Sequence, residues 1–255
     1  MKILLLGGTA DARRLCDNLI QQKFDVTYSI AGLVRTPTLD CPVLVGGFRK
    51  LGGLTEYLSR NQVDLVLDVT HPYAKKMSDQ AVLSGQALGV PVWRFHRPAW
   101  ERSNQDQWHC YHDFEQLVKM LENYKRPLLS AGQFSLEELT RINALANIEH
   151  IVLRTAVKPK FSYERLAKLH WLKAIGPFFY QDESLLIQTQ DIDVIVSKNS
   201  GGSATSAKLQ VANRLMLAVL MLERPNLMGP DKLFNSLDEC FAAIKKYSHS
   251  QSKLG

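Results

Sequence analysis

The sequence predicts an α/β fold of two domains with mainly parallel sheets. Short apolar segments alternate with amphipathic ones along the whole chain, the pattern of strand–helix repeats that build parallel sheets. The strand candidates, such as VDLVLDV at 63–69, are almost continuously apolar, as strands covered on both faces are. With 255 residues, 45% of them hydrophobic, the chain is long enough for two modest cores.

KILLL at 2–6 reads as the first strand, Gly7, Gly8 and Thr9 as a tight turn, and ADARRLCDNLIQQ at 10–22 as a helix. Such a turn can hold a phosphate, because glycine lets backbone approach closely and a helix N-terminus offers N–H groups and a positive dipole end. A plain tight turn fits the same residues equally well. A second strand covers 25–32, and Arg35 follows it. At that position an acidic residue suits NAD and a basic one accommodates the 2′-phosphate of NADP, so Arg35 favours NADPH; a solvated loop arginine is the competing reading. A third strand, 41–48, ends in Gly46 and Gly47, and Gly52-Gly53 open an amphipathic segment at 54–60.

The strand at 63–69 runs into Thr70, His71 and Pro72, and Pro72, Tyr73 and Ala74 fit the entry to a helix over about 74–88. Ligands of open α/β sheets bind beyond the carboxyl ends of strands, so this loop is a candidate site wall. The segment 91–100 is expected to close the first sheet, and Arg94, His96, Arg97, Trp100 and Arg102 then cluster as suits a large, flat, acidic ligand.

A charged amphipathic helix over 113–124 ends the expected first domain, 1–124, and a second domain, 125–255, follows. Its strands are expected at 125–133, at 148–159 with Arg154 and Lys158 towards its end, at 170–178, from 191 and at 217–225. The strand from 191 ends in Lys198, Asn199, Ser200, Gly201 and Gly202 before a helix at 203–215. That loop can hold a cofactor phosphate or substrate carboxylates, or serve only as a helix cap through Ser200 or Ser203. A last helix over about 230–247 is free to dock back on the first domain.

No apolar run reaches the roughly 18 residues that a membrane helix needs, so a soluble, cytoplasmic protein is expected. The cysteines Cys16, Cys41, Cys110 and Cys240 form no CxxC pair and read as reduced thiols, without zinc. The net charge of +6 is dispersed, which suits a small anionic ligand better than nucleic acid. His109 and His112 have no third ligand cluster nearby, so no metal site is expected. The chain lacks GxxxxGK[ST], Tyr-x-x-x-Lys and GxSxG, which removes P-loop, short-chain dehydrogenase and esterase chemistry.

GGTADAR at 7–13, DVTHPYA at 68–74, RPAWER at 97–102, GPF at 176–178, SKNSGG at 197–202 and ERP at 223–225 together resemble the precorrin-6A reductase family of cobalamin biosynthesis. The likeness spans the chain to about residue 225, and THP and KNSGG are its specific parts. It implies two Rossmann-like domains with a cleft between them, and a pyridine nucleotide that delivers hydride to a ring carbon of an anionic tetrapyrrole. On this reading Gly7, Gly8 and Thr9 hold the pyrophosphate of NADPH, with Arg35 at the 2′-phosphate. Thr70 and His71 flank the nicotinamide, His71 as a positioner rather than an acid. Lys198 to Gly202 complete a cofactor or carboxylate site, and Tyr73, Arg97, Trp100 and Arg102 contact substrate. A cobalt-precorrin-6A reductase using NADH and a non-catalytic nucleotide sensor are the alternatives. The oligomeric state is not legible.

Overall fold

A computed structural model describes residues 1–32 and 37–251. In chain order the elements are β1 (Lys2–Leu6), α1 (Ala10–Gln21), β2 (Asp25–Ile30), β3 (Val43–Val45), α2 (Leu54–Asn61), β4 (Leu65–Asp68), α3 (Lys75–Leu88) and β5 (Val92–Phe95). Then come β6 (Gln107–Tyr111), α4 (Phe114–Leu121), β7 (Pro127–Leu129), α5 (Leu136–Ala144), β8 (Ile151–Thr155), β9 (Leu169–Lys173), α6 (Tyr180–Thr189) and β10 (Val194–Lys198). The chain finishes with α7 (Ala207–Arg214), β11 (Ala218–Leu222), β12 (Lys232–Phe234) and α8 (Leu237–Gln251).

Two compact units emerge, Met1–Pro98 with Pro225–Gly255, and Ala99–Arg224. The boundary thus lies at 98/99, with a return at 224/225, rather than at the expected 124/125. Pairing explains the difference: β6 hydrogen-bonds β11 in the second unit, and β12 hydrogen-bonds β5 in the first. A strand joins the sheet that offers it an edge, whatever its neighbours in sequence.

The first unit holds a six-stranded sheet in the order β3-β2-β1-β4-β5-β12, and every pairing is parallel. The second holds β9-β8-β7-β10-β11-β6, again parallel throughout. Ranked in chain order the first sheet reads 3-2-1-4-5-6, the doubly wound dinucleotide-binding order, and the second has the same arrangement once β7 is counted first and β6, which precedes it in the chain, is counted sixth. The sixth strands are exchanged along the chain, since β6 follows β5 directly yet completes the other sheet.

Parallel sheets need cover on both faces. In the first unit, Leu15, Leu19, Cys240 and Ile244 of α1 and α8 cover one face, while Leu54, Leu58, Ala81 and Val82 of α2 and α3 cover the other. The wholly buried Leu65, Val66 and Leu67 of β4 each gain roughly 1.5–3 kcal/mol from leaving water. In the second unit, α4 and α5 pack on one face through Leu117, Leu121, Leu139 and Ile142, and α6 and α7 on the other through Ile187, Leu209 and Val211.

Two sequence expectations change here. The last helix begins at Leu237 rather than near 230, because Lys232–Phe234 spend their backbone on the ladder with β5, which therefore does not close the first sheet. His109 lies on β6 beside Leu220. No described helix is long and apolar enough to cross a membrane.

Candidate active site

In a sheet of this order the ligand crevice opens where connections leave the first and fourth strands in opposite directions. In the first unit those strands are β1 and β4, in register with Leu6 beside Asp68. The turn Gly7-Gly8-Thr9 and the loop Val69-Thr70-His71-Pro72 therefore leave the sheet at one level.

The glycine turn is built on Tyr28 of β2. This side chain is fully buried, and its hydroxyl accepts the Gly8 N–H at 3.0 Å. A Cβ at Gly7 would lie 2.3 Å from Tyr28 Cζ, so only glycine fits. Gly8 adopts φ +107°, and a Cβ there would meet nothing within 4 Å. That side of the turn is open to a ligand, as a phosphate cradle requires. Thr9 caps α1: its hydroxyl accepts the Ala12 N–H and donates to the Val69 carbonyl, both at 3.0 Å, which ties the turn to the neighbouring loop.

The Thr-His-Pro loop is set by a buried ion pair. Register places Asp68 beside Arg94 of β5, and the Arg94 Nε donates to Asp68 Oδ2 at 2.7 Å. Asp68 Oδ1 accepts the Thr70 hydroxyl at 2.7 Å and the Thr70 N–H at 3.2 Å. Arg94 also donates to the carbonyls of Met228 and Ser78, anchoring the returning chain. His71 Nδ1 accepts the Tyr73 N–H at 3.3 Å, so the neutral ring carries its proton on Nε2.

In the second unit the equivalent first and fourth strands are β7 and β10, with Leu129 beside Val196. Lys198 ends β10, and its Nζ lies 3.2 Å from where a Cβ of Gly132 would stand. Burial pushes its amine below the ordinary lysine range. Asn199 and Trp100 are locked together: the Trp100 N–H donates to Asn199 Oδ1 at 2.8 Å, and Asn199 Nδ2 donates to the Trp100 carbonyl at 3.0 Å. The Trp100 indole N–H donates to the Gly202 carbonyl at 2.9 Å. Gly201 and Gly202 have φ of +68° and +76°, values that favour glycine. A cavity of 290 Å³ lies beyond the ends of β7 and β8, walled by Phe134, Thr155, Val157 and Phe161 with Gln133 and Lys160 at its polar side.

The family model for "Precorrin-6x reductase CbiJ/CobK" matches residues 2–245. The chain belongs to this family. The precorrin-6A reductase of Mycobacterium tuberculosis (strain ATCC 25618 / H37Rv) is 35% identical over 228 residues, 88% of this chain and 89% of its own. That of Rhodobacter capsulatus is 33% identical over 232 residues, 90% of each chain. The cobalt-precorrin-6A reductase of Priestia megaterium is 24% identical over 234 residues, 88% of this chain and 91% of its own. A solved structure, "CobK precorrin-6A reductase", superposes with a TM-score of 0.85 at 32% identity, covering 96% of this chain and 97% of that one.

As a precorrin-6x reductase family member the chain is an oxidoreductase of cobalamin biosynthesis, and its two Rossmann-like sheets agree with the fold that the resemblance implies. Among the residues singled out from sequence, Gly7, Gly8, Thr9, Thr70, His71, Tyr73 and Arg97 lie in the first unit. Arg97 sits 3.4 Å from Asp11 in the first turn of α1. Trp100, Arg102 and Lys198 to Gly202 lie in the second unit, with the Arg102 Nε bonded to the Asp106 carbonyl. Arg35 lies outside the described residues.

Several roles shift once the bonds are seen. The Thr9 hydroxyl and the Asn199 amide serve the protein's own backbone, and Arg94, grouped from sequence with an acidic-ligand cluster, is a buried strut 4% exposed. Ser206 rather than Ser200 or Ser203 precedes the first turn of α7, and its side chain makes no capping bond. Tyr28 escaped sequence reading because an aromatic residue in an apolar strand looks like ordinary core. Asp68 had a signal: an acidic residue at the end of a buried strand demands a partner.

Proposed function

We propose that this chain reduces the macrocycle of precorrin-6A to precorrin-6B with NADPH. The observation that carries the reading is the open Gly8 turn at the switch point of a 3-2-1-4-5-6 sheet, in a chain of this family. Bound NADPH would supply hydride from its nicotinamide. Gly7 and Gly8 let backbone approach its pyrophosphate, and the first turn of α1 presents N–H groups there. Thr70 and His71, held by the Asp68–Arg94 pair, form the wall beside the nicotinamide, and Arg35 takes the 2′-phosphate. Tyr73, Arg97, Trp100 and Arg102 meet the substrate.

A tetrapyrrole bearing many carboxylates needs cations and hydrogen-bond donors; in the second unit Lys198 supplies a cation and the Ser200–Gly202 backbone supplies N–H groups. Reduction by hydride needs no protein nucleophile, so this chain contributes alignment and electrostatic support. The metal-free substrate is favoured by the relatives: precorrin-6A reductases match at 33% and 35% identity, a cobalt-precorrin-6A reductase at 24%.

Titrating the protein into NADPH and following nicotinamide fluorescence should show saturable binding in the micromolar range, tighter than for NADH. Absence of binding up to millimolar concentration sinks the reading, and turnover of cobalt substrate with NADH alone replaces it with the alternative. His71→Ala should lower kcat/KM by about tenfold, short of the 10²–10⁴ that loss of a general acid costs. Total loss of turnover with unchanged NADPH affinity would instead make His71 a proton donor.

A further inference from the structure

Between β8 and the helices α6 and α7 the second unit buries charged side chains that the proposed reaction does not use. Arg154 of β8, Glu183 of α6 and Lys208 of α7 are 6%, 2% and 4% exposed. Arg154 and Glu183 form an ion pair through Nη1 and Oε1, and the Arg154 guanidinium lies 4.4 Å over the Phe178 ring. Lys208 lies near enough to that pair to be influenced by both of its charges. Its Nζ donates to the Thr205 carbonyl at 2.8 Å and sits 5.3 Å from the centroid of the Trp100 ring. Burying a lysine is unfavourable, and an apolar residue would fill this place without the desolvation. The cation's contacts show what it holds.

One partner of Lys208 is in the glycine loop and the other holds it. Thr205 is in the loop itself, and Trp100 grips it at Asn199 through two hydrogen bonds and at Gly202 through the indole N–H. Arg224 adds a bond to the Asn199 carbonyl. The chain of contacts therefore runs from α7 through Lys208 to Trp100 and on to the loop carrying Ser200, Gly201 and Gly202.

We propose that Lys208 is the positioning residue of the 199–206 loop, holding it from beneath through Trp100 and the Thr205 carbonyl without touching a ligand. This rests on the reading of the loop as part of the ligand site. The charged groups facing Lys208 are Arg154, which disfavours its cation, and Glu183, which favours it. Burial is the larger influence and brings its amine down to about 7. Below neutral pH the ammonium is drawn to the face of Trp100; above it that attraction is lost and only the bond to Thr205 remains. Loop placement, and with it substrate affinity, changes across neutrality.

The test uses the full-length protein as wild type, Lys208→Arg and Lys208→Met. Tryptophan emission of each is titrated from pH 6 to 8 without ligand, and KM and kcat for tetrapyrrole reduction are measured over the same range. Wild type should show an emission transition that both variants lack, so titrations elsewhere, common to all three, cancel. Lys208→Met should raise the tetrapyrrole KM about tenfold with kcat within about twofold, the signature of lost placement rather than lost chemistry. Lys208→Arg, permanently charged, should keep the low KM but lose its pH dependence. Identical emission curves in wild type and Lys208→Arg overturn the proposal, whether or not Lys208→Met folds, as does an unchanged KM in a folded Lys208→Met protein. A wild type that shows the transition but binds no tetrapyrrole removes the functional reading and leaves the positioning role standing.

Discussion

Arg94→Met is expected to cost the protein about 3–5 kcal/mol of stability, the cost of breaking a buried ion pair by removing one partner. Arg94 and Asp68 are 4% and 1% exposed, so the substitution leaves a buried carboxylate without its arginine. It also removes the donors that Met228 and Ser78 use, which loosens the chain where it returns to the first unit. Denaturant unfolding should show the midpoint fall accordingly. The double variant Asp68→Asn/Arg94→Met should recover much of the loss, because no unpaired charge remains buried. A loss under about 1 kcal/mol in the single variant would mean that the pair does not hold this loop. Function follows the same bonds: Asp68 fixes Thr70, so a folded Arg94→Met protein should turn over slowly even where NADPH still binds.

Gly7→Ala should weaken NADPH binding more than about tenfold. The added Cβ would stand 2.3 Å from Tyr28 Cζ and 2.4 Å from its hydroxyl, and Tyr28 is enclosed in the core with no room to withdraw. Either the ring or the turn must move. Overpacking of this kind costs about 1–3 kcal/mol, and the shift breaks the bond that holds the Gly8 N–H. An NADPH dissociation constant raised more than about tenfold, with the fold retained by circular dichroism, is the expected result; unchanged affinity would remove the glycine turn from the cofactor site. Tyr28→Phe separates the two effects. It keeps the ring but deletes the acceptor, so it should cost only about 0.5–1.5 kcal/mol and leave binding largely intact.

Much of this was legible in the chain because the signals are local. Apolar runs bounded by glycine or polar turns placed most strands of both sheets, since a strand buried on both faces must be apolar nearly throughout. THP at 70–72 and KNSGG at 198–202 stand at strand ends, where the topology puts the crevices of the two units. The expected boundary at 124/125 failed for a reason no local signal carries. β6 and β12 are edge strands, and which sheet accepts each depends on the edge left open by β11 or β5.

Composition, periodicity and motif spacing alone determined the parallel α/β class, the presence of two such units and the loops worth attention, because each follows from residues adjacent in the chain. Tertiary structure alone decided what those loops rest on. Tyr28 beneath Gly8, Arg94 behind Asp68 and Lys208 beneath Trp100 join residues 20, 26 and 108 positions apart. Their meaning is set by burial: the same arginine or lysine at the surface would bind an anion, and with its head group out of water it can only serve the protein's own groups.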